Sequence, residues 1–426
     1  MMAASSEFHG WRVVGGTFVL AVFGWGIGFY GPPILLQTVR EARGWSLELV
    51  SAAVTLHFLF GALVVANLPG LYRRFGVATI TAAGSLTLAL GLVGWAFAAE
   101  PWQLFLVALV SGAGWVTMGA AAVNAIVAPW FVRQRPKALV TAYNGASMGG
   151  VICSPLLVVL VDRLGFLAAT AAVGIVMVVT VWLLAILLFS RSPEDLGQVP
   201  DGPAAALAPE AVTTLDSGSL AGRVLWRDRR FVTLALGMAL GLFAQIGLLA
   251  HLFSLLVPAL GSQRAGLAMG LATLAAIGGR TLVGFLMPAG ADRRLLAAAS
   301  YGVQMIGVAA LIGADGSDGI LLALGVVLFG AGIGNATSLP PLVAQAEFAK
   351  GDVARVVPLV IAVSQMTWSF APLAFGLLRR AFADLTAAET GAAPHLLLAV
   401  LTLQALAAKA FLAGRGKLAT KVAARA

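Results

Sequence analysis

SRSPEDLGQVPDGPAAALAPEAVTTLDSGSLAGRVLWRDRR, residues 190–230, is the one long polar stretch in a chain otherwise made of apolar runs. Its Pro, Gly, Ala and Ser content is that of a linker, with a short amphipathic helix expected near Leu220 to Trp226. Outward from it, in both directions, lie runs of the length that spans the hydrocarbon of a bilayer, roughly 20 residues for about 30 Å. Six precede it, near 11–36, 47–70, 77–98, 102–131, 138–161 and 165–190, and six follow, near 231–258, 265–288, 295–314, 318–346, 356–378 and 394–413. The spacing predicts an all-α membrane protein of 12 transmembrane helices in two six-helix, pseudo-symmetric halves, 1–190 and 231–426, joined by linker 191–230.

Composition points the same way. Hydrophobic residues make up 60% of the 426 and charged residues 11%, against about a quarter charged in soluble proteins. With both termini placed in the cytoplasm, the inner segments carry 20 of the 27 Lys and Arg residues and the outer ones six. That asymmetry accounts for the net charge of +9 through the positive-inside rule, without nucleic acid, and suits a plasma (inner) membrane. The N-terminus, MMAASSEFHGWR, lacks a signal-peptide pattern, so the first apolar run is expected to stay as a membrane helix. A single cysteine, Cys153, excludes an internal disulfide.

The remaining cation is Arg280, inside GLATLAAIGGRTLVGFLMP, residues 270–288, with no Asp or Glu within a helical turn on either side. A guanidinium at that depth costs about 2.5 kcal/mol on insertion scales, so the default reading is a functional group facing water or an anion. The other reading is an arginine held by backbone carbonyls as structural glue. All 18 acidic residues map to loops or helix ends, which argues against a carrier that depends on a buried carboxylate. Histidine then remains to titrate near neutrality, and His251 and His57 are the proton-coupling candidates, each also readable as a neutral tie between helices.

Further polar groups at cavity-prone depths are Tyr30, Thr117, Asn144, Gln245, Asn335 and Gln365, with Trp368 as an aromatic wall. Each is read either as a substrate contact or as a helix-to-helix hydrogen bond. Phosphate loops, metal-ligand spacings and catalytic triads are missing, so no enzyme, cofactor or metal is expected.

The halves are weakly similar at an offset of about 218 residues: Gly112-Ala113-Gly114 aligns with Gly330-Ala331-Gly332, and Pro69 and Arg74 with Pro288 and Arg293. Duplication is a common way to build transporters. Glycines cluster in GWGIGFYG (24–31), YNGASMGG (143–150) and GAGIG (330–334), which lets helices approach closely. The pairs Pro32-Pro33 and Pro340-Pro341 are expected to kink or break the first and tenth helices.

His9-Gly10-Trp11-Arg12-Val13-Val14, WFVRQRPKALVTAYNGASMGG (130–150), RSPEDLG (191–197) and Gly279-Arg280 with Gly284 together resemble the major facilitator superfamily, within it the monocarboxylate transporter and oxalate:formate antiporter branch. The resemblance covers nearly the whole chain and is most specific in the fifth-helix segment. It implies that Arg280 holds a substrate carboxylate. It also implies a cytoplasmic gate at Arg73, Arg74, Asp292 and Arg293, although Arg73 stands where the superfamily usually has an acid. The acidic residue that animal monocarboxylate carriers place one turn before the arginine is Ala276 here, and their first-helix lysine is missing from Gly28-Phe29-Tyr30-Gly31. The second lysine of oxalate exchangers is missing too, which favours a monoanion. The expectation is a monomeric secondary transporter of a small organic monoanion, coupled to a proton or counter-anion. An exporter of drugs or hydrophobic metabolites and a non-transporting membrane sensor are the alternatives.

Overall fold

A computed structural model describes residues 8–201, 225–287, 291–314, 318–382 and 394–415, and among these the regular structure is helical. In hydrocarbon each backbone N–H and C=O must be satisfied within its own segment, and a helix does this for every apolar run. The elements are α1 (Gly10–Gly28), α2 (Gly31–Arg43), α3 (Leu47–Phe75), α4 (Val77–Phe97), α5 (Pro101–Thr117), α6 (Ala120–Val127), α7 (Arg135–Leu164) and α8 (Phe166–Leu184). After the polar stretch come α9 (Arg229–Leu286), α10 (Arg293–Gly313), α11 (Gly319–Glu347), α12 (Lys350–Trp368), α13 (Ala371–Ala381) and α14 (Pro394–Ala413).

Eleven of the resulting helical stretches are long and apolar enough to cross a membrane. One of them, α9, is 58 residues long, nearly three times the roughly 20 that a crossing needs. It is two limbs joined at Gly261, whose φ of 74° and ψ of 165° leave the helical region. The described residues therefore hold twelve crossings, as the hydropathy predicts. Gly76 (φ 80°, ψ 152°) and Gly165 (φ 82°, ψ 162°) stand alone between α3 and α4 and between α7 and α8 in the same conformation. That region of backbone space is essentially restricted to glycine, so three of the connections between neighbouring crossings turn on one residue each.

Several crossings are broken. The first stops at Phe29 and resumes at Gly31, with Pro32 and Pro33 in the first turn of α2, where no intrahelical N–H is required. The fourth breaks between Thr117 and Ala120, and the eleventh between Trp368 and Ala371. The tenth does not break: Pro340 and Pro341 lie inside α11, which runs on as one helix through both. About one turn before this pair, the Thr337 and Ser338 hydroxyls both bond back to the Gly334 carbonyl.

Contacts divide the chain into two compact units, Met1–Gly44 with Leu56–Val212 and Trp45–Thr55 with Thr213–Ala426. The sequence repeat reappears as matching contacts inside each. A side chain at Gly112 would run into the His57 carbonyl of α3, and one at Gly114 into Leu88 and Gly84 of α4. In the second unit a side chain at Gly330 would meet the Ala272 carbonyl of α9, and one at Gly332 the Gln304 side chain of α10. Each Gly-Ala-Gly thus seats a helix against the equivalent two neighbours of its own unit. The glycines of the fifth crossing work likewise: Gly145 and Gly149 of α7 abut the Phe18 and Val22 carbonyls of α1.

Acidic residues sit where helix ends need acceptors. Asp228 caps α9 through Arg230 N, and Asp292 and Asp318 each accept two backbone N–H bonds at the starts of α10 and α11. The polar stretch is more ordered at its start than its composition implies. Asp201 is buried, and its carboxylate accepts from the backbone N–H groups of Val132, Arg133 and Gln134 at 3.1, 2.6 and 3.1 Å. Gln198 Oε1 accepts from His9 N at 3.0 Å. The amphipathic helix expected near Leu220 to Trp226 falls mostly outside the described residues.

Candidate functional site

Arg280 lies on the second limb of α9, residues 262–286, and is half-buried. Its Nε donates to the Gly334 carbonyl of α11 at 3.2 Å. The two helices approach closely there. A side chain at Gly279 would overlap the Ala331 carbonyl, and a Cβ at Gly334 would lie 2.5 Å from the Ala276 carbonyl and 3.0 Å from both Cβ and Nε of Arg280. A seam of small residues therefore carries the arginine stem across the face of α11.

Of the other candidates in this unit, Asn335 adjoins Gly334 and is buried, and its Oδ1 has no hydrogen-bond partner among the described residues. Gln245 is spent elsewhere: Gln404 Nε2 donates to Gln304 Oε1 at 3.0 Å, and Gln304 Nε2 approaches Gln245 Oε1 at 3.5 Å. This buried glutamine ladder ties α9, α10 and α14. His251 is fully buried, with Nε2 at 2.9 Å from the Pro372 carbonyl of α13. Gln365 is half-buried and Trp368 buried, both at the end of α12.

In the first unit, Tyr30 is buried at the break in the first crossing, its ring edge-on to Phe29 at 5.1 Å. Thr117 bonds to the Gly114 carbonyl at 2.7 Å and packs over Gly84 of α4, so its hydroxyl is turned to a neighbouring helix. Asn144 is exposed on α7. Its neighbour Tyr143 is the bonded one, with Asn124 Nδ2 at 2.6 Å from Oη.

His57 is buried with both ring nitrogens engaged: Nε2 is 2.9 Å from the Gly28 carbonyl and Nδ1 is 2.8 Å from Ser111 Oγ. A carbonyl only accepts, so Nε2 carries the hydrogen and Nδ1 accepts from the serine. Trp95 Nε1 in turn donates to Ser111 Oγ at 3.2 Å, and the imidazole stacks on Trp115 at 5.7 Å. A small cavity lined by Ile27, Pro32, Leu35, Leu92, Trp95 and Ser111 lies beside the ring.

The residues expected to form a gate have separate partners. Arg73 and Arg74 are exposed at the end of α3. Asp292 is bridged by Arg415 Nε at 2.6 Å, and Arg293 Nη1 donates to the Leu342 carbonyl at 2.5 Å. The buried cation at this end is the next residue, Arg294, only 1% exposed, which the sequence reading passed over. Its Nε and Nη2 donate to the two carboxylate oxygens of Glu347 at 2.6 and 2.8 Å, and it also reaches Thr233 Oγ1 and the Arg230 carbonyl. A bidentate pair of this kind binds the start of α9, the start of α10 and the end of α11 together. One signal was available: Glu347 closes a long apolar run opposite the Asp292-Arg293-Arg294 start of another.

The stretches His9–Val14, 130–137 and 191–197, far apart in sequence, meet at one end of the first unit. Phe8 packs edge-on against Phe131 at 5.4 Å, Trp11 against Phe131 at 5.0 Å, and Lys137 lies 5.4 Å over the Trp11 ring. Burial, and then the charges of Arg12 and Arg191, hold His9 below the ordinary imidazole range. Among the described residues no group of His, Cys, Asp and Glu is arranged to hold a metal ion.

Twelve crossings among the described residues and two repeat-related units, one with an arginine between glycine-seamed helices, describe a multi-pass membrane protein. The chain belongs to the Major Facilitator Superfamily, whose family model matches residues 16–373. It is 27% identical over 328 residues to human (Homo sapiens) monocarboxylate transporter 11, a match covering 74% of this chain and 66% of that relative's length. It therefore resembles the monocarboxylate transporter branch. The fold is shared with solved transporter structures, among them the following two. One is a bacterial homolog of the human lysosomal transporter Spinster, inward-facing and unoccupied, with TM-score 0.68 and 16% identity over 96% of this chain and 98% of that one. The other is a mutant of the nucleoside transporter NupG, with TM-score 0.71 and 13% identity over 95% and 100%.

Proposed function

We propose that this chain moves a small organic monoanion across the membrane by alternating access, with Arg280 as the anchor of the substrate carboxylate. The observation that carries the reading is the placement of Arg280: a permanent cation on a membrane-crossing limb, half-buried, its stem bedded on Gly334. A planar guanidinium fork matches a carboxylate in shape and charge. The sequence offers one such cation well inside the apolar segments, away from their ends, which suits a monoanion better than a dianion. The likeness to a protein named monocarboxylate transporter 11 supports the same substrate class. A proton or counter-anion balances the charge.

The test is uptake of labelled pyruvate and benzoate by purified protein in proteoliposomes. Arg280→Ala is expected to abolish uptake while the protein elutes from size exclusion as the parent does. Unchanged uptake in that variant ends the assignment. A thermal-shift panel of mono- and dicarboxylates gives the class directly, since a ligand that prefers the folded state raises apparent stability.

A further inference from the structure

We propose that Gly334 is a positioning residue for Arg280, and that the last glycine of the GAGIG run exists to set the guanidinium rather than only to pack helices. The proposal rests on the reading of Arg280 as carboxylate anchor. Three close approaches join the second limb of α9 to α11: Gly330 on Ala272, Gly279 on Ala331 and Gly334 on Ala276. The first two meet backbone alone. At Gly334 the space is also taken by the arginine, whose Cβ and Nε both lie 3.0 Å from where a methyl would stand.

Position 334 supplies an acceptor as well as room. Its carbonyl takes the Arg280 Nε–H at 3.2 Å and the hydroxyls of Thr337 and Ser338 at 3.2 and 3.0 Å. Nε–H lies in the plane of the guanidinium, so a bond at that nitrogen orients the plane in which both Nη groups lie. A carboxylate bound through a fork is sensitive to that orientation. At the repeat-related position of the first unit stands Val116, with Ala62 opposite Arg280, so the glycine and the arginine occur together in one unit only.

The test is the Gly334→Ala variant of the full-length protein, with pyruvate uptake kinetics in proteoliposomes. Loss of binding alone raises KM and leaves kcat nearly unchanged, and an increase of roughly tenfold in KM is expected. In an Arg280→Lys background, which has no planar fork to orient, Gly334→Ala is expected to add no further increase. A full additional increase there overturns the proposal, as does an unchanged KM in the single variant while Arg280→Ala is inactive. Should Arg280→Ala keep the parent's carboxylate uptake, or the parent show no carboxylate uptake at all, the anchor reading fails first and this one with it. Where Gly334→Ala does not fold, the double variant decides. Recovery with Arg280→Lys means that the arginine stem is what the glycine accommodates, and failure of both means that the Ala276 backbone dictates it and the proposal is wrong.

Discussion

Two arginines of the second unit show how differently one residue type is used. Arg294 is 1% exposed and closed in by a bidentate carboxylate, a hydroxyl and a carbonyl. Arg280 is half-buried and lies along a carbonyl on a seam of glycine and alanine. The first arrangement is complete without a ligand and so reads as a clasp between helix ends. Removing one partner of a buried pair leaves the other charge uncompensated at a cost of about 3–5 kcal/mol, and less here because the Glu347 side chain keeps 24% exposure. Glu347→Ala is therefore expected to lower the melting temperature in detergent by several degrees, with Glu347→Gln intermediate. An unshifted transition in both would show that the clasp does not hold the helix ends. In the sequence both arginines were visible, but the choice between Arg293 and Arg294 was not. It depends on helix phase: α10 starts at Arg293, and the turn that follows aims Arg294 at α9 and α11.

At the scale of elements, glycine does most of the punctuation. Gly76, Gly165 and Gly261 each turn the chain between crossings in a conformation that costs other residues on the order of 1–3 kcal/mol. Gly261→Ala should lower stability by that amount, which thermal unfolding of the purified protein measures, while Gly278→Ala, a glycine with open space around it, should not. The linker carries a second element-scale device. Asp201 ties the start of the polar stretch to the three N–H groups ahead of α7, and those groups lose their acceptor in Asp201→Ala. A fully buried donor left unsatisfied costs about 1–3 kcal/mol, and these cost less, since Val132 and Arg133 are exposed and water reaches the loop. Faster amide exchange at residues 132–134 in that variant is the specific sign, and unchanged exchange would show that the carboxylate does not hold the loop. Composition alone read this stretch as a plain linker, because a carboxylate serving distant backbone leaves no periodic trace in sequence.

For the whole molecule, the repeat is the organising fact. Gly112-Ala113-Gly114 and Gly330-Ala331-Gly332 were similar only as letters, yet each pair seats the matching neighbours within its unit. Gly112→Leu and Gly330→Leu are accordingly expected to impair folding alike, each by driving a side chain into a facing carbonyl, as judged by the recovery of monodisperse protein. A large difference between them would count against equivalent roles. The chain by itself determined the class, the number of crossings and the position of the cation in the eighth apolar run. Each of these follows from where apolar surface and charge can lie relative to a bilayer, which is a property of composition along the chain. Only the tertiary structure decided which polar groups are available. It turned Thr117 and Gln245 toward neighbouring helices, bonded both nitrogens of His57, chose Arg294 over Arg293, and laid Arg280 on Gly334. Those outcomes depend on the rotation of each helix about its axis and on which glycines meet which carbonyls, contacts between residues far apart in the chain that no local pattern encodes.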